Sequence, residues 1–187
     1  MSLAELIARA DACGHVASGL ACLDRCVPLL DGDDEVLRPL WATLADDAGG
    51  GREWAKALER VRDKLAGPDA VGEDEAVLLA RRMLAAAPAE RSAAAVREWA
   101  DACSAASLRI HRLLDPAAGV APGVDARGEG RTEGMSPLVA AELRRQTGVL
   151  EVLAAHGTAG LRHALEISTE GRRVLRAVVS RRARGRG

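Results

Sequence analysis

Phenylalanine and tyrosine are absent from this 187-residue chain, and tryptophan occurs three times. Large flat side chains are therefore scarce, and alanine, leucine and valine make up most of the apolar residues. Alanine and leucine are strong helix formers, whereas sheets are usually rich in β-branched and aromatic residues. The composition therefore favours helices that approach one another closely over a sheet.

Asparagine is absent as well. A chain without it has no acceptor for N-glycosylation, and a papain-type site with a catalytic asparagine is excluded. The chain has two lysines, Lys56 and Lys64, and all the rest of its Lys and Arg residues are arginines. We interpret the bias toward alanine, arginine and glycine as mutational pressure rather than as a sign of function.

Long hydrophobic runs are missing too. No run approaches the roughly 18 apolar residues that a helix needs to span a bilayer. Residues 1–10 contain Glu5 and Arg9 among their apolar residues, unlike the continuous apolar stretch of a secretory signal. We therefore expect a cytoplasmic location and no transmembrane segment. The four cysteines are too few for a disulfide framework in a chain of this length, so we expect reduced thiols.

Apolar residues recur along most of the chain at steps of three and four, the spacing of amphipathic helices. The strictest repeat runs from Val96 through Trp99, Cys103 and Ile110 to Leu113. No stretch alternates apolar and polar residues long enough to be a convincing strand. The sequence predicts an all-α fold, an up-and-down bundle of about five helices followed by a C-terminal helical pair.

Glycine, proline and capping residues predict the domain organisation. The helical bundle covers residues 1–114, a flexible Gly/Pro loop covers 115–135, the helical pair covers 136–180, and a disordered Arg-rich tail covers 181–187. Helices are predicted over about residues 2–30, 34–48, 52–66, 73–87, 88–114, 136–155 and 158–180, with Ser2, Ser136 and Thr158 as N-caps. A loop as long as 115–135 is usually either functional or disordered, and we favour disorder. The helical pair packs either on the bundle or on a partner.

Cys22 and Cys26 lie one turn apart on the first predicted helix. Two thiolates at this spacing can hold a soft cation such as Cu(I) or Zn(II). His15 shares their side of the helix but lies about 10 Å from Cys22 along the axis, too far for the same ion. A complete zinc site needs further ligands, for which Cys103 and His111 are the candidates. The commoner alternative is that such cysteines are buried apolar fillers, and we predict no cofactor.

The spacings that other chemistries need are missing. No histidine has a glutamate three residues before it, and no His-Glu-x-x-His occurs, which excludes di-iron bundles and zincins. The glycine clusters match neither a phosphate loop nor a dinucleotide fingerprint. The acidic turn at 31–35 lacks the glutamate that an EF-hand needs at its last position. No serine or cysteine has a recognisable catalytic partner, so the sequence favours a non-enzymatic protein.

Charge is distributed unevenly along the chain. Residues 158–187 hold eight arginines against two glutamates, whereas residues 1–48 hold nine acidic residues against three arginines. The candidate partner-binding residues on and after the last predicted helix are Arg172, Arg173, Arg176, Arg181 and Arg182.

Three roles compete for this cationic helix. It complements its own helix dipole and keeps the chain soluble, or it docks on an acidic partner or on the chain's own acidic N-terminal segment, or it contacts nucleic-acid phosphates or an anionic membrane. A net charge of −1 and the scarcity of aromatic residues speak against specific nucleic-acid binding.

We therefore expect a non-enzymatic interaction or regulatory protein that binds a protein partner, of acidic character, through helical faces and the cationic C-terminal helix. One alternative is a helical bundle that binds a small molecule or soft metal through Cys22 and Cys26. Another is an accessory protein that contacts nucleic-acid phosphates through its arginines. A homodimer is also open, because helical pairs often cover a second face by self-association.

Overall fold

The computed structural model describes residues 1–45, 50–67, 74–115 and 135–185. These ranges contain helices and no β-strand, so the prediction of an all-α fold is confirmed. None of the described helices combines the length and apolarity needed to cross a bilayer. The α-helices are α1 (Leu3–Arg9), α2 (Ala12–Cys26), α3 (Arg38–Ala42), α4 (Gly50–Leu65), α5 (Glu75–Ala85), α6 (Ala93–Leu114), α7 (Pro137–His156) and α8 (Leu161–Arg184), and 3-10 helices cover Val27–Leu30 and Gly157–Gly160.

The segment predicted as one helix over 2–30 consists of α1, α2 and the first 3-10 helix. Ser2 and Glu5 form the predicted capping box at the start of α1. The chain then breaks at Asp11, whose side chain accepts a hydrogen bond from the Gly14 amide at 2.7 Å and caps α2. The apolar spacing continues through this break, so periodicity alone does not reveal it.

A hydrogen bond to Asp115, a residue that was not singled out from the sequence, joins the end of α6 to the start of α7. Ser136 is the N-cap residue of α7, as predicted, but its side chain makes no capping hydrogen bond. Asp115 takes that role, since its Oδ2 accepts a hydrogen bond from the Leu138 amide at 2.9 Å. The end of α6 therefore lies beside the start of α7. Of the predicted loop 115–135, the structure describes Asp115 and Met135, and residues 116–134 lie outside the described residues.

Several helices have bounds that differ from those predicted; the helix predicted over 88–114, for example, begins at Ala93. Within the range 34–48, where one helix is predicted, the described residues contain only the five-residue α3 as an α-helix. The last helix begins at Leu161, after the 3-10 turn that contains Thr158, and continues to Arg184. Residues 181–184, part of the tail that we predicted to be disordered, are therefore helical, and among them Arg182 contacts Asp74 and the Leu113 carbonyl oxygen.

Helix α2 lies at the centre of the fold. All of its residues from Gly14 to Cys26 are buried, and it packs against α6, α7 and α8. Leu23 of α2, Ile110 of α6 and Leu175 of α8 are fully buried in one apolar cluster. The C-terminal helical pair therefore packs on the bundle and shares its core. A smaller apolar cluster joins α1 to α6 and α7.

The apolar repeat of α6 is buried as predicted except at its last position. Val96, Trp99 and Ile110 are at most 3 % exposed, whereas Leu113 is 36 % exposed. A straight α-helix drifts by about 20° per heptad relative to a seven-residue repeat. By the last turn of α6 the drift has turned Leu113 outward and brought Leu114, which is 5 % exposed, into the inward position.

Candidate functional site

Cys22 and Cys26 are both buried in the centre of the fold. The Arg25 Nη2 contacts the Cys22 sulfur at 3.4 Å, and the Cys26 sulfur lies 3.8 Å from the Ser107 hydroxyl. Burial raises the pKa of Cys22 to about 12 and also raises the pKa of Cys26. Metals bind the thiolate, so this environment disfavours ligation. Within the described ranges, no group of three or more His, Cys, Asp or Glu side chains is arranged to hold a metal ion.

A buried ion pair, which the sequence analysis did not predict, lies next to these cysteines. Arg25 of α2 and Glu142 of α7 are both completely buried and form two hydrogen bonds, Nε to Oε2 at 2.8 Å and Nη2 to Oε1 at 2.7 Å. The Ser107 hydroxyl and the Gln146 amide donate further hydrogen bonds to Oε1 at 2.8 and 2.9 Å. Helices α2, α6 and α7 are therefore joined by one polar cluster inside an otherwise apolar core.

The charge on Glu142 is maintained by its neighbours. Burial alone would raise the pKa of this carboxyl group, but the interactions with Arg25 above all, and with His111 and the hydrogen-bond donors, lower it to about 2. His111 Nε2 lies 3.4 Å from Glu142, and the ring also contacts the Ser107 carbonyl oxygen through Nδ1 at 2.7 Å. Burial lowers the pKa of His111 despite that carboxylate. The charged partner of Glu142 at neutral pH is therefore Arg25.

Gly171 of α8 makes room for this ion pair. A Cβ atom at position 171 would overlap Cδ of Arg25 and lie 2.9 Å from Cδ of Arg145. Neither side chain can move freely, since Arg25 is completely buried and paired with Glu142, and Arg145 is 13 % exposed and paired with Glu170. A side chain at position 171 would therefore have to displace Arg25 or move α8 away from α2.

We expect Gly171→Ala to lower the free energy of unfolding by about 1 to 3 kcal/mol through overpacking. Gly148→Ala in α7 is the matched control, because a Cβ there would meet Ile167 Cδ1 at an ordinary 3.6 Å. That control should be neutral or stabilising by up to about 1 kcal/mol, since alanine favours helices. Urea denaturation of both variants measures the difference. Equal effects of the two substitutions would contradict the close approach at Gly171.

Arg172, the first of the predicted partner-binding arginines, is buried against the N-terminal half of the chain. Its Nη1 donates a hydrogen bond to Asp24 Oδ1, and the Trp41 indole donates to Asp24 Oδ2 at 3.1 Å. Burial raises the pKa of Asp24, although Arg172 and Trp41 counteract the effect. The structure thus places this arginine on the chain's own acidic segment.

Two more of the predicted arginines also pair within the chain. Arg176 Nη2 donates to Asp34 Oδ1 at 2.7 Å, next to the Gly32 carbonyl oxygen. Arg182 Nη2 lies 3.1 Å from Asp74 Oδ2, and its Nη1 donates to the Leu113 carbonyl oxygen at 3.4 Å. These contacts hold the C-terminal half of α8 along the rest of the bundle.

The other arginines of α8's C-terminal half face outward. Arg173, Arg181 and Arg184 are exposed and have no carboxylate partner in the part of the chain that the structure describes. Arg181 Nε donates to the Ala177 carbonyl oxygen of its own helix. The end of α8 therefore presents positive charge that the described residues do not neutralise.

An apolar groove lies beside this cationic end. The α6/α8 groove, as we name it, has a volume of about 500 Å³ and is lined by Leu113, Leu114, Asp115, Val178, Arg181 and Arg182. Leucine and valine side chains form its apolar part, and Asp115, Arg181 and Arg182 form its polar part. Its lining includes Leu113, the apolar side chain that the drift of α6 turns outward.

No protein-family model, no curated protein and no solved structure matches this chain. A function for it therefore has to be inferred from the arrangement of its own residues. The cationic helix is evident from the sequence, whereas the buried ion pair and the groove are not. One local signal for the ion pair was available, since Asp24 and Arg25 are adjacent charges inside an otherwise apolar stretch of α2.

Proposed function

We propose that the protein is a non-enzymatic binding protein whose α6/α8 groove accepts an acidic segment of a partner protein. The observation that carries the proposal is the combination of an apolar groove with Arg181 in its lining, an exposed arginine that has no carboxylate partner among the described residues. An amphipathic partner segment would place apolar side chains against Leu113 and Val178 and its carboxylates near Arg181 and Arg184. Arginine is suited to this role because its planar guanidinium pairs bidentately with carboxylates.

The internal ion pairs support a separation of roles among the arginines of α8, some of which fix the helix while others remain available to a partner. Arg172, Arg176 and Arg182 hold the helix in place, so the outward arginines are presented from a rigid element. A binding surface on a rigid helix loses little conformational entropy when a partner arrives. Charges at the edge of such a surface mainly raise the association rate and are sensitive to salt.

A second copy of this chain is a less suitable occupant. The large apolar side chains exposed in the described ranges are Met1, Leu78 and Leu113, and they lie on different elements. A stable protein interface usually buries about 800 Å² per partner around an apolar centre. In addition, a second cationic groove would repel the first one, whereas an acidic segment complements it.

The test is a titration with two synthetic peptides, followed by NMR at the methyl groups of Leu113, Leu114 and Val178. One peptide is a glutamate-rich amphipathic helix with leucines on one face, and the other carries serine in place of each leucine. We expect saturable methyl shifts with the leucine peptide, weakened as salt rises from about 50 to about 500 mM. Absence of saturable shifts, or equal shifts with both peptides, would contradict the proposal.

Matched variants separate the two parts of the surface. Arg181→Glu/Arg184→Glu should weaken binding by about tenfold or more at low salt, whereas Arg162→Glu, at the exposed start of α8, should leave it unchanged. Leu113→Ser should weaken binding, whereas Leu78→Ser should not, since Leu78 on α5 is 39 % exposed and Leu113 is 36 % exposed. Equal losses within either pair would place the binding site elsewhere.

A further inference from the structure

A second concave site lies at the other end of α6 from the α6/α8 groove, where α2 and α6 begin. The α2/α6 pocket, as we name it, has a volume of about 330 Å³ and is lined by Ala10, Asp11, Ala12, His15, Ala93, Ala94 and Arg97. None of these residues lines the α6/α8 groove. The argument for this pocket therefore does not depend on the proposed protein partner.

Two helices start side by side at the α2/α6 pocket. Gly19 of α2 lies against the ring of Trp99 of α6, and about two turns further on the Cys26 sulfur lies 3.8 Å from the Ser107 hydroxyl. The two helices therefore run in the same direction, and the first residues of both line the pocket. The positive ends of two helix dipoles favour a negative group at this place.

The start of α6 provides donors for a carboxylate. The Ser92 hydroxyl accepts a hydrogen bond from the Ala95 amide, and the amides of Ala93 and Ala94 have no partner within the helix. Arg97, one turn further along α6, is exposed and has no carboxylate partner among the described residues. Free amides and an unpaired guanidinium group at one helix end are suited to a carboxylate.

His15 provides an acceptor inside the pocket. His15 is 5 % exposed, and its Nε2 lies 2.8 Å from the Ile7 carbonyl oxygen. A carbonyl oxygen only accepts, so Nε2 carries the hydrogen, and Nδ1 of the neutral ring is left as an acceptor. In the described part of the chain Nδ1 has no hydrogen-bond partner and is not among the enclosed side-chain atoms. It is therefore open to the pocket that His15 lines.

Asp11 supplies a negative charge to the same pocket. Its Oδ1 accepts the hydrogen bond from the Gly14 amide, and Oδ2 has no partner among the described residues. Asp11 and Arg97 line one pocket but form no ion pair with each other. The lining thus carries one negative and one positive group at separate places. A zwitterion answers both charges, whereas a simple anion or cation would leave one of them unanswered.

The rest of the lining consists of four alanines, which leave room for a small apolar group. A volume of about 330 Å³ is at the small end of known ligand pockets. We propose that the α2/α6 pocket binds a free α-amino acid with an apolar side chain of about the size of that of valine. The carboxylate lies at the start of α6 beside Arg97, and the ammonium group donates to Asp11 and to His15 Nδ1.

The test is a titration with L-valine and with two analogues that each lack one charge, followed by NMR of the His15 ring signals at about pH 8, where ordinary histidines are neutral. The analogue 3-methylbutanoate is valine without its amino group, and isobutylamine is valine without its carboxylate. We expect saturable shifts with L-valine and a dissociation constant in the millimolar range or below. Each analogue should bind about tenfold more weakly or worse. Absence of saturable shifts with L-valine, or equal affinity for L-valine and either analogue, would overturn the proposal.

Two variants separate the charged groups of the pocket. Asp11→Asn keeps the cap of α2, because asparagine caps helices as well as aspartate does. It should weaken binding of L-valine by about tenfold without weakening that of 3-methylbutanoate. Arg97→Gln should weaken binding of both ligands, whereas Arg162→Gln, at the exposed start of α8, should change neither. Full affinity for L-valine in either pocket variant, or equal losses for the two ligands in Asp11→Asn, would contradict the assignment.

Discussion

Replacing Glu142 by alanine is expected to lower the free energy of unfolding by about 3 to 5 kcal/mol. The substitution leaves Arg25 completely buried without its counter-charge, and burial of an unpaired charge is the main cost. It also removes the acceptor for the Ser107 hydroxyl and the Gln146 amide. Urea denaturation followed by far-ultraviolet circular dichroism measures the loss. A loss below about 1 kcal/mol would show that Arg25 is not held as described.

The double variant Arg25→Met/Glu142→Leu is the control for this result. Apolar side chains of similar volume remove both charges together, so the double variant should be close to wild-type stability or above it. The interaction energy from the double-mutant cycle would then be large and favourable. Additive losses would mean that the two residues do not act as a pair.

The pH dependence of the same pair has a defined direction. The pKa of Glu142 is about 2 in the folded state, compared with 4.5 for an unperturbed glutamate. A group with a lowered folded-state pKa stabilises the fold above its unfolded pKa and loses that effect as the pH falls. The stability difference between wild type and Glu142→Gln should therefore shrink between pH 4.5 and about 2. A difference that grows on acidification would contradict this assignment.

Trp99→Ala is expected to destabilise the protein by about 3 to 5 kcal/mol. Trp99 is 3 % exposed, its indole N–H donates to the Met83 carbonyl oxygen at 2.9 Å, and its ring meets that of Trp54 edge to face at 6.2 Å. Gly19 of α2 lies directly against the ring, since a Cβ atom at position 19 would lie only 2.7 Å from Cε3 and would overlap it. The truncation therefore leaves a cavity between α2 and α6.

Thermal denaturation should show a fall in Tm of about 10 °C for Trp99→Ala. Trp99→Phe separates the contributions, since it keeps part of the ring and removes the hydrogen bond, and its loss should be smaller. A Tm equal to that of the wild type in the alanine variant would reject the placement of Trp99 in the core.

The period of the apolar residues predicts the helices and most of their inward faces, because a helical period of 3.6 is a local property. It places Val96, Trp99 and Ile110 correctly, and it fails at Leu113, where the drift of a straight helix accumulates. The break at Asp11 was missed because a side-chain cap competes with an apolar pattern that continues on both sides. The presence of a helix can thus be read from the local sequence more reliably than the residues at which it begins and ends.

The functional surface is less accessible from sequence. The charge asymmetry identifies α8 as cationic, but which arginines face outward depends on partners far along the chain. Arg172 and Asp24 are 148 positions apart, and Arg25 and Glu142 are 117 apart. No local spacing encodes such pairs, so Arg172, Arg176 and Arg182 were indistinguishable from Arg173 and Arg181 before the fold was known.

The most direct test of the proposed function is photo-cross-linking in cells of the organism that makes this protein or of a near relative. The cross-linker p-benzoylphenylalanine replaces Leu113 or, as a control of similar exposure, Leu78. The account predicts a partner adduct from position 113 alone, mapped to an acidic segment of the partner and lost in the Arg181→Glu/Arg184→Glu background. Equal adducts from both positions, or an adduct from 113 that survives the charge reversal, would contradict it.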